Sequence, residues 1–294
     1  MNKLKLTRSF LYVPAYIESY IDSALASDTD VIILDLEDSV PFFKKEKARK
    51  NILNNLLKLS LFKGQIIVRI NNLENETEVK KDLNYLKDLQ FEGIMLPKIN
   101  VIEDLEKYDA LISEMLNKED LYYIPLIETA LSMIHLDSIT KFSKVEGLAF
   151  GGEDYITDLQ GKHGKTTILF DYARIQIVIA AKAYQKIAID TPFLALDEHI
   201  EFVESVKKAS ELGFDGKQCI HPSQIHRVNE ILTPHEDEYH QAVKIVSKIN
   251  EAEEKGKGVA IFNGKMIGPP MVKRAKKLIT IYEKIKEKSR YGSE

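Results

Sequence analysis

The sequence predicts an α/β fold, a (β/α)8 barrel of the TIM type with a C-terminal helical and lid extension, and three observations predict it. Eight short apolar runs are spread through the first 222 residues, most of them ending in a polar or charged side chain. Charged stretches in which apolar residues recur at three and four positions separate the runs, and that recurrence is helical. The runs are near-continuously apolar, as strands are in a parallel sheet covered on both faces, and eight βα units close naturally into a barrel.

Taken in order, the predicted strands lie within Arg8–Pro14, Asp30–Asp38, Gln65–Asn71, Gly93–Lys98, Leu121–Glu128, Val145–Asp154, Ala188–Phe193 and Gly216–Pro222. The intervening helices read most clearly at Lys44–Phe62, Glu76–Gln90, Asp171–Lys186 and Asp197–Gly213. After His221 the chain changes character. Pro234–Gly256 reads as a polar helix, Gly258–Gly264 as a strand and turn, and Met271–Lys288 as a basic amphipathic helix. Residues 1–230 are therefore expected to form the catalytic barrel and residues 231–294 an extension. Val259, Ile261, Phe262, Met266 and Ile267 fall beyond a completed barrel and need a surface to bury against. That surface is either their own barrel or the mouth of a neighbouring subunit, and the second is the expectation.

Composition narrows the function classes. The 294 residues carry 41 Lys plus Arg against 45 Asp plus Glu, a net charge of -4, with both signs interspersed along the helices. Nothing in that pattern supports nucleic-acid binding. A signal-peptide core is lacking, and no apolar run is long enough to cross a bilayer, so no membrane partner is expected. The single cysteine, Cys219, lies inside a predicted strand and is most simply a core residue. A cytoplasmic, disulfide-free protein is the expectation.

In a barrel the polar residues at strand ends converge on the catalytic face. Glu128 ends strand five and Asp154 ends strand six, so their carboxylates are expected to meet, and two such oxygens suit a hard divalent cation such as Mg2+. Zinc would ask for clustered His or Cys, and His135, His163, His199 and His226 share no metal-ligand spacing. Either acid alone would read as a loop residue or helix cap. Strand alternation sends Asp35 and Glu37 to the face opposite Leu36. Glu37 and Asp38 at the mouth suit the orienting of metal-bound water or of a catalytic Lys or Arg, or a buried ion pair that ties strand two to Arg8 or Arg69. Arg69, flanked by apolar residues, should point into the barrel and needs a carboxylate partner, which is either Glu37 or a substrate carboxylate held by the guanidinium fork. Lys98 after Pro97 either reaches the site or is exposed. The pair Gly151-Gly152 permits a close approach of backbone to ligand. His221 at the end of strand eight suits acid-base chemistry or a structural cap.

The strand-end residues resemble the citrate lyase beta subunit and its stand-alone relatives within the HpcH/HpaI aldolase and citrate lyase group. The likeness runs from Arg8 to about Lys277 through RSFLYVP, DVIILDLEDSV, IIVRINN, GIMLPK, IPLIETA, GLAFGGEDYITDL, LGFDGKQCIHPSQI and NGKMIGPP. The resemblance implies a TIM barrel that assembles as a homotrimer or hexamer. It implies Mg2+ held at Glu128 and Asp154, a substrate carboxylate held at Arg69, and support from Glu37 and Asp38. Pro97, Gly152 and Glu153 are the further substrate-contact candidates. Members act on 3-hydroxyacyl thioesters of the citryl, citramalyl or malyl kind, carried on CoA or an acyl carrier protein, and release a 2-oxo acid and an acyl thioester. The chain departs from the family at two places. Gly268 stands in Gly264-Lys-Met-Ile-Gly-Pro-Pro270 where the family usually has an Asp that serves as acid-base group. Pro14-Ala15-Tyr16 replaces a loop that usually carries Gly or Asn followed by Asn or Arg. The first departure favours a second reading, a non-catalytic or regulatory relative that binds a small 2-oxo acid or partner subunits.

Overall fold

The apolar runs fold as eight parallel strands, β1 (Ser9–Pro14), β2 (Val31–Asp35), β3 (Gln65–Arg69), β4 (Gly93–Leu96), β5 (Tyr122–Ile127), β6 (Gly147–Phe150), β7 (Ile187–Asp190) and β8 (Gly216–Cys219). Each pairs with the next, and β1 pairs with both β2 and β8, so the sheet closes and has no edge. The structure is a computed structural model that describes residues 6–116, 118, 120–162, 168–196, 199–254 and 256–291. All residues of β2, β4, β5, β6, β7 and β8 are buried, as the unbroken apolar runs require.

Alternate residues of the strands pack together, with Phe10, Val31, Ile33, Ile67, Met95, Ile124, Leu126, Ala149 and Ile189 in one cluster. This is the layered filling that makes such a barrel a solid core. The residues between them, such as Ile32, Leu34, Ile94 and Cys219, are fully or almost fully buried on the opposite face of the sheet. Arg8 closes the amino-terminal end, where its Nε and Nη2 donate to the two carboxylate oxygens of Asp30 at 2.8 Å each. Arg8 therefore belongs to the foot of the barrel and takes no part in pairing Glu37.

The helices fall where expected, with changes at their boundaries. The stretch Lys44–Phe62 divides into helices Lys45–Asn54 and Leu56–Ser60. Asn55 makes the break because its side-chain amide donates to the Asn51 carbonyl at 2.9 Å, a local bond that competes with the helix. The next helix ends at Tyr85, short of the expected Gln90. Helices Ile168–Ala183 and His199–Leu212 flank β7, and Asp197, where the second was expected to begin, lies outside the described residues.

The chain divides into two compact units, Met1–Asn229 and Glu230–Glu294. In the second, helices Glu236–Glu253 and Pro269–Tyr291 stack the rings of Tyr239 and Tyr282 at 4.4 Å. Between them strands β9 (Ala260–Phe262) and β10 (Lys265–Ile267) form an antiparallel hairpin. The second strand was not anticipated, although Asn263-Gly264, with φ of 47° and 73°, is the turn that such a hairpin favours. Ile267 is buried, whereas Ile261 and Met266 remain 74% and 70% exposed. Among the described residues no helix is long and apolar enough to cross a membrane.

Candidate active site

The carboxyl ends of β2 and β3 build the first half of the site. Asp35 and Arg69 are register partners, so their side chains emerge side by side on one face. Arg69 donates from Nε to Asp35 Oδ1 at 2.7 Å and from Nη2 to Oδ2 at 2.6 Å, a bidentate fork. Its remaining nitrogen, Nη1, lies 3.5 Å from Glu37 Oε2. The guanidinium rests over the Tyr12 ring, 4.7 Å from its centroid. Tyr12 is fixed in turn by donating its hydroxyl to Gln218 Oε1 at 2.8 Å. The expectation that Glu37 is the protein carboxylate paired with Arg69 is thus corrected, since Asp35 is the main partner. Asp35 takes that place because register puts it beside the arginine, while Glu37, beyond the end of the strand, reaches only one edge.

The loop after β2 wraps Asp35. The Glu37 backbone N–H donates to it at 3.0 Å, and Ser39 does so through both backbone and hydroxyl. Burial works to raise the Asp35 pKa, but the charge and hydrogen bonds of Arg69 hold it below the ordinary carboxylate value. Glu37 goes the other way. Burial is the largest cause, Arg69 opposes it, and repulsion from Asp38 and Asp35 adds to it, so its pKa rises to about 8. Asp38 sits exposed on the rim.

The second half comes from the ends of β4, β5 and β6. Glu128, just past β5, is 3% exposed, and its Oε1 accepts the backbone N–H of Lys98 at 2.7 Å. Gly151 is required beside it, since a Cβ there would stand 2.6 Å from Glu128 Cβ and 2.7 Å from Oε2. Desolvation lifts the Glu128 pKa to about 7, with Lys98 opposing and Asp154 adding to the rise. Asp154 was expected at a strand end, and the structure corrects this. β6 stops at Phe150, and Asp154 lies in the first turn of helix Gly152–Asp158. An acid there is favoured by the positive end of the helix. The Lys98 ammonium lies 2.7 Å from Asp154 Oδ1 and 4.0 Å from Glu128 Oε1, so both carboxylates reach a single cation.

The other expected contacts take varied places. Gly152 is buried and donates its N–H to Thr191 Oγ1 at 3.1 Å, while Glu153 is exposed. Pro97 is buried, and its carbonyl accepts the Tyr108 hydroxyl at 3.4 Å. His221 is exposed with Nδ1 2.8 Å from the Ser223 hydroxyl, and His163 lies outside the described residues. Among the described residues no three His, Cys, Asp or Glu converge in a metal-ligating group. A pair of carboxylates fits magnesium, which takes one or two of them and fills its other positions with water and substrate.

Tyr12, Gln218 and Thr191 were missed as parts of this neighbourhood. The signal available for the first two was strand parity, since Tyr12 follows the core residue Phe10 by two and Gln218 follows Gly216 by two. Also missed was a triad on the outer face of the sheet, where the fully buried Lys217 donates to Asp190 Oδ2 at 2.7 Å and Arg174 Nε donates to Oδ1 at 2.8 Å. It ties β7 and β8 to helix Ile168–Ala183.

A closed barrel of eight parallel strands, with Glu128 and Asp154 around one ammonium at its mouth and Arg69 clamped by Asp35, places the chain in the class of (β/α)8 barrels. The chain belongs to the HpcH/HpaI aldolase/citrate lyase family, whose profile matches residues 8–222. It is 31% identical to citrate lyase subunit beta of Leuconostoc mesenteroides subsp. cremoris, over 96% of this chain and 95% of that one. It is 29% identical to the mitochondrial citramalyl-CoA lyase of Homo sapiens, over 96% of this chain and 87% of that protein. Among solved structures, the CitE protein of Mycobacterium tuberculosis in complex with magnesium, acetoacetate and coenzyme A superposes with a TM-score of 0.77 at 25% identity, covering 95% of this chain and 98% of that one.

Proposed function

We propose that this protein is a magnesium-dependent carbon-carbon lyase that cleaves a short 3-hydroxyacyl thioester, citryl-, citramalyl- or malyl-CoA-like, into a 2-oxo acid and an acyl thioester. The observation that carries the reading is the convergence of Glu128 and Asp154 on one cation position at the mouth of a barrel of this family. Glu128 and Asp154 would hold the metal, which when bound would supply Lewis-acid stabilisation of the charge developing on the oxygen next to the substrate carboxylate.

The remaining steps fall to the protein. Arg69 fixes the carboxylate through Nη1, the nitrogen that the Asp35 fork leaves toward the mouth. The fork and the Tyr12 ring prevent the guanidinium from turning, so the acid is held in one orientation. Glu37 holds a proton at neutral pH on a carboxyl beside that clamp and, with Asp38 on the rim, positions polar groups of the substrate. As the carbon-carbon bond breaks, the hydroxyl loses its proton and the electron pair moves onto the thioester fragment, whose carbon then takes up a proton. Pro97, Gly152 and Glu153 remain the further substrate-contact candidates of this reading. The same reading makes the protein a cytoplasmic homotrimer or hexamer, with residues 231–294 of one copy covering the mouth of the next. The exposed Ile261 and Met266 support that arrangement.

The test is release of 2-oxo acid from a panel of citryl-, citramalyl- and malyl-CoA, with magnesium and with chelator. Magnesium-dependent release that falls at least about 100-fold in Glu128→Ala and Asp154→Ala is expected. Equal release by both variants would overturn the site assignment. Gly268 favours the second reading, binding without turnover, and that reading holds if folded protein binds oxo acid yet cleaves no member of the panel.

A further inference from the structure

We propose that Lys98 is a tethered cation that competes for the two metal-ligand carboxylates, keeping magnesium affinity low until a substrate anion arrives to take the ammonium. The inference rests on the metal-site reading above and adds a residue to it whose charge has the same sign as the metal.

Three observations place Lys98 in this role. Its backbone is held at φ 55°, in the left-handed region that a residue with a Cβ rarely adopts, immediately after the conformationally fixed Pro97. That turn brings two parts of one residue onto the same site. The backbone N–H donates to Glu128 Oε1 at 2.7 Å, and the ammonium donates to Asp154 Oδ1 at 2.7 Å. A strained conformation retained at such a place points to a functional constraint. The second observation is the set of acids around the ammonium. Its ion-pair partners within 4.0 Å are Glu128 and Asp154, the same two carboxylates that would hold the metal. The third is burial. The Lys98 side chain is 30% exposed, that of Glu128 4% and that of Asp154 43%, so solvent screens the charges less on the Glu128 side than it would on an open surface.

The consequence is electrostatic. A divalent cation seated between these carboxylates meets a fixed positive charge a few ångströms away and deprives that charge of both its partners. An anionic substrate restores the balance, since the carboxylate that Arg69 fixes brings a negative charge that the ammonium can also pair with while the metal takes Glu128 and Asp154. Metal and oxo acid therefore favour each other's binding, and Lys98 is the element that couples them.

Calorimetric titration of Mg2+ into chelator-treated full-length protein tests this without reference to turnover. Lys98→Met and Lys98→Asn both remove the charge, and asparagine also tolerates the left-handed backbone. Both are expected to bind Mg2+ at least about tenfold more tightly than the wild type, whereas Lys98→Arg stays near it. Saturating pyruvate, used as the probe anion, should tighten Mg2+ binding in the wild type more than in Lys98→Met. Unchanged or weaker binding in both neutral variants, each shown to be folded by its thermal transition, would overturn the proposal. Glu128→Gln serves as the control. If it bound Mg2+ as well as the wild type does, the metal-site assignment would fail first, which separates the two failures.

Discussion

Asp35 and Glu37 lie two residues apart beside the same arginine, yet their pKa values move in opposite directions, because burial outweighs Arg69 at Glu37 and Arg69 outweighs burial at Asp35. Asp35 has the bidentate fork and stays ionised, while Glu37 has only the outer edge of Arg69 at 3.5 Å and two acidic neighbours, so burial wins. The unfolded chain ionises Glu37 near its ordinary 4.5 and the folded protein near 8, so the folded state binds the extra proton between those values. Stability therefore falls as pH rises through that window, by up to about 1.4 kcal/mol per pH unit for one proton. Urea unfolding in chelator at about pH 5 and about pH 8 should show this loss in the wild type and a smaller one in Glu37→Gln. An unchanged pH dependence in the variant would assign the slope to other groups.

At the scale of elements, the site depends on strand ends that meet turns without room for side chains. β6 delivers Gly151 against Glu128, and the chain turns at once into helix Gly152–Asp158, which brings Asp154 to the mouth. Gly151→Ala would push a methyl group to 2.6 Å from Glu128 Cβ, so either the carboxylate or β6 has to move. The expected result is a loss of about 1–3 kcal/mol in stability together with weaker Mg2+ binding. Calorimetry and denaturant unfolding of the same preparation check both. A variant that keeps both properties would mean that the turn adjusts without disturbing Glu128.

For the whole molecule, the proposed lyase reading makes Gly268 in the second unit a test of turnover. Gly268 precedes helix Pro269–Tyr291, and its carbonyl accepts the N–H groups of Met271 at 3.1 Å and Val272 at 3.2 Å. A Cβ at Gly268 meets nothing within 4 Å, and its φ lies outside the left-handed region, so the backbone admits the aspartate usual in the family. Aspartate is also a favoured residue at a helix start. Gly268→Asp should therefore fold with stability unchanged or raised by about 0.5–1 kcal/mol and should raise turnover on at least one thioester. Light scattering of the same samples should give the mass of a trimer or hexamer. No gain on any thioester would mean that the hairpin serves other chemistry.

Much of this protein was legible in the sequence by itself. The eight strands and their order follow from apolar runs that only a two-sided parallel barrel can bury, and Glu128 and Arg69 follow from where those runs end. Burial of Cys219 follows from the strand around it. What tertiary structure decided is pairing. Strand parity puts Asp35, Glu37 and Arg69 on one face, but only the register of β2 on β3 makes Asp35 the partner of the arginine. Lys98 read equally as exposed or as part of the site, and only the fold puts its ammonium 2.7 Å from Asp154 and 4.0 Å from Glu128. Asp154 looked like a strand residue because apolar content marks where a strand is buried, while its end is set by hydrogen bonds to neighbours distant in sequence. Period and composition are local properties and report burial. Which charges meet depends on contacts among residues far apart in the chain, such as those 30 and 56 positions from Lys98, which no local pattern encodes.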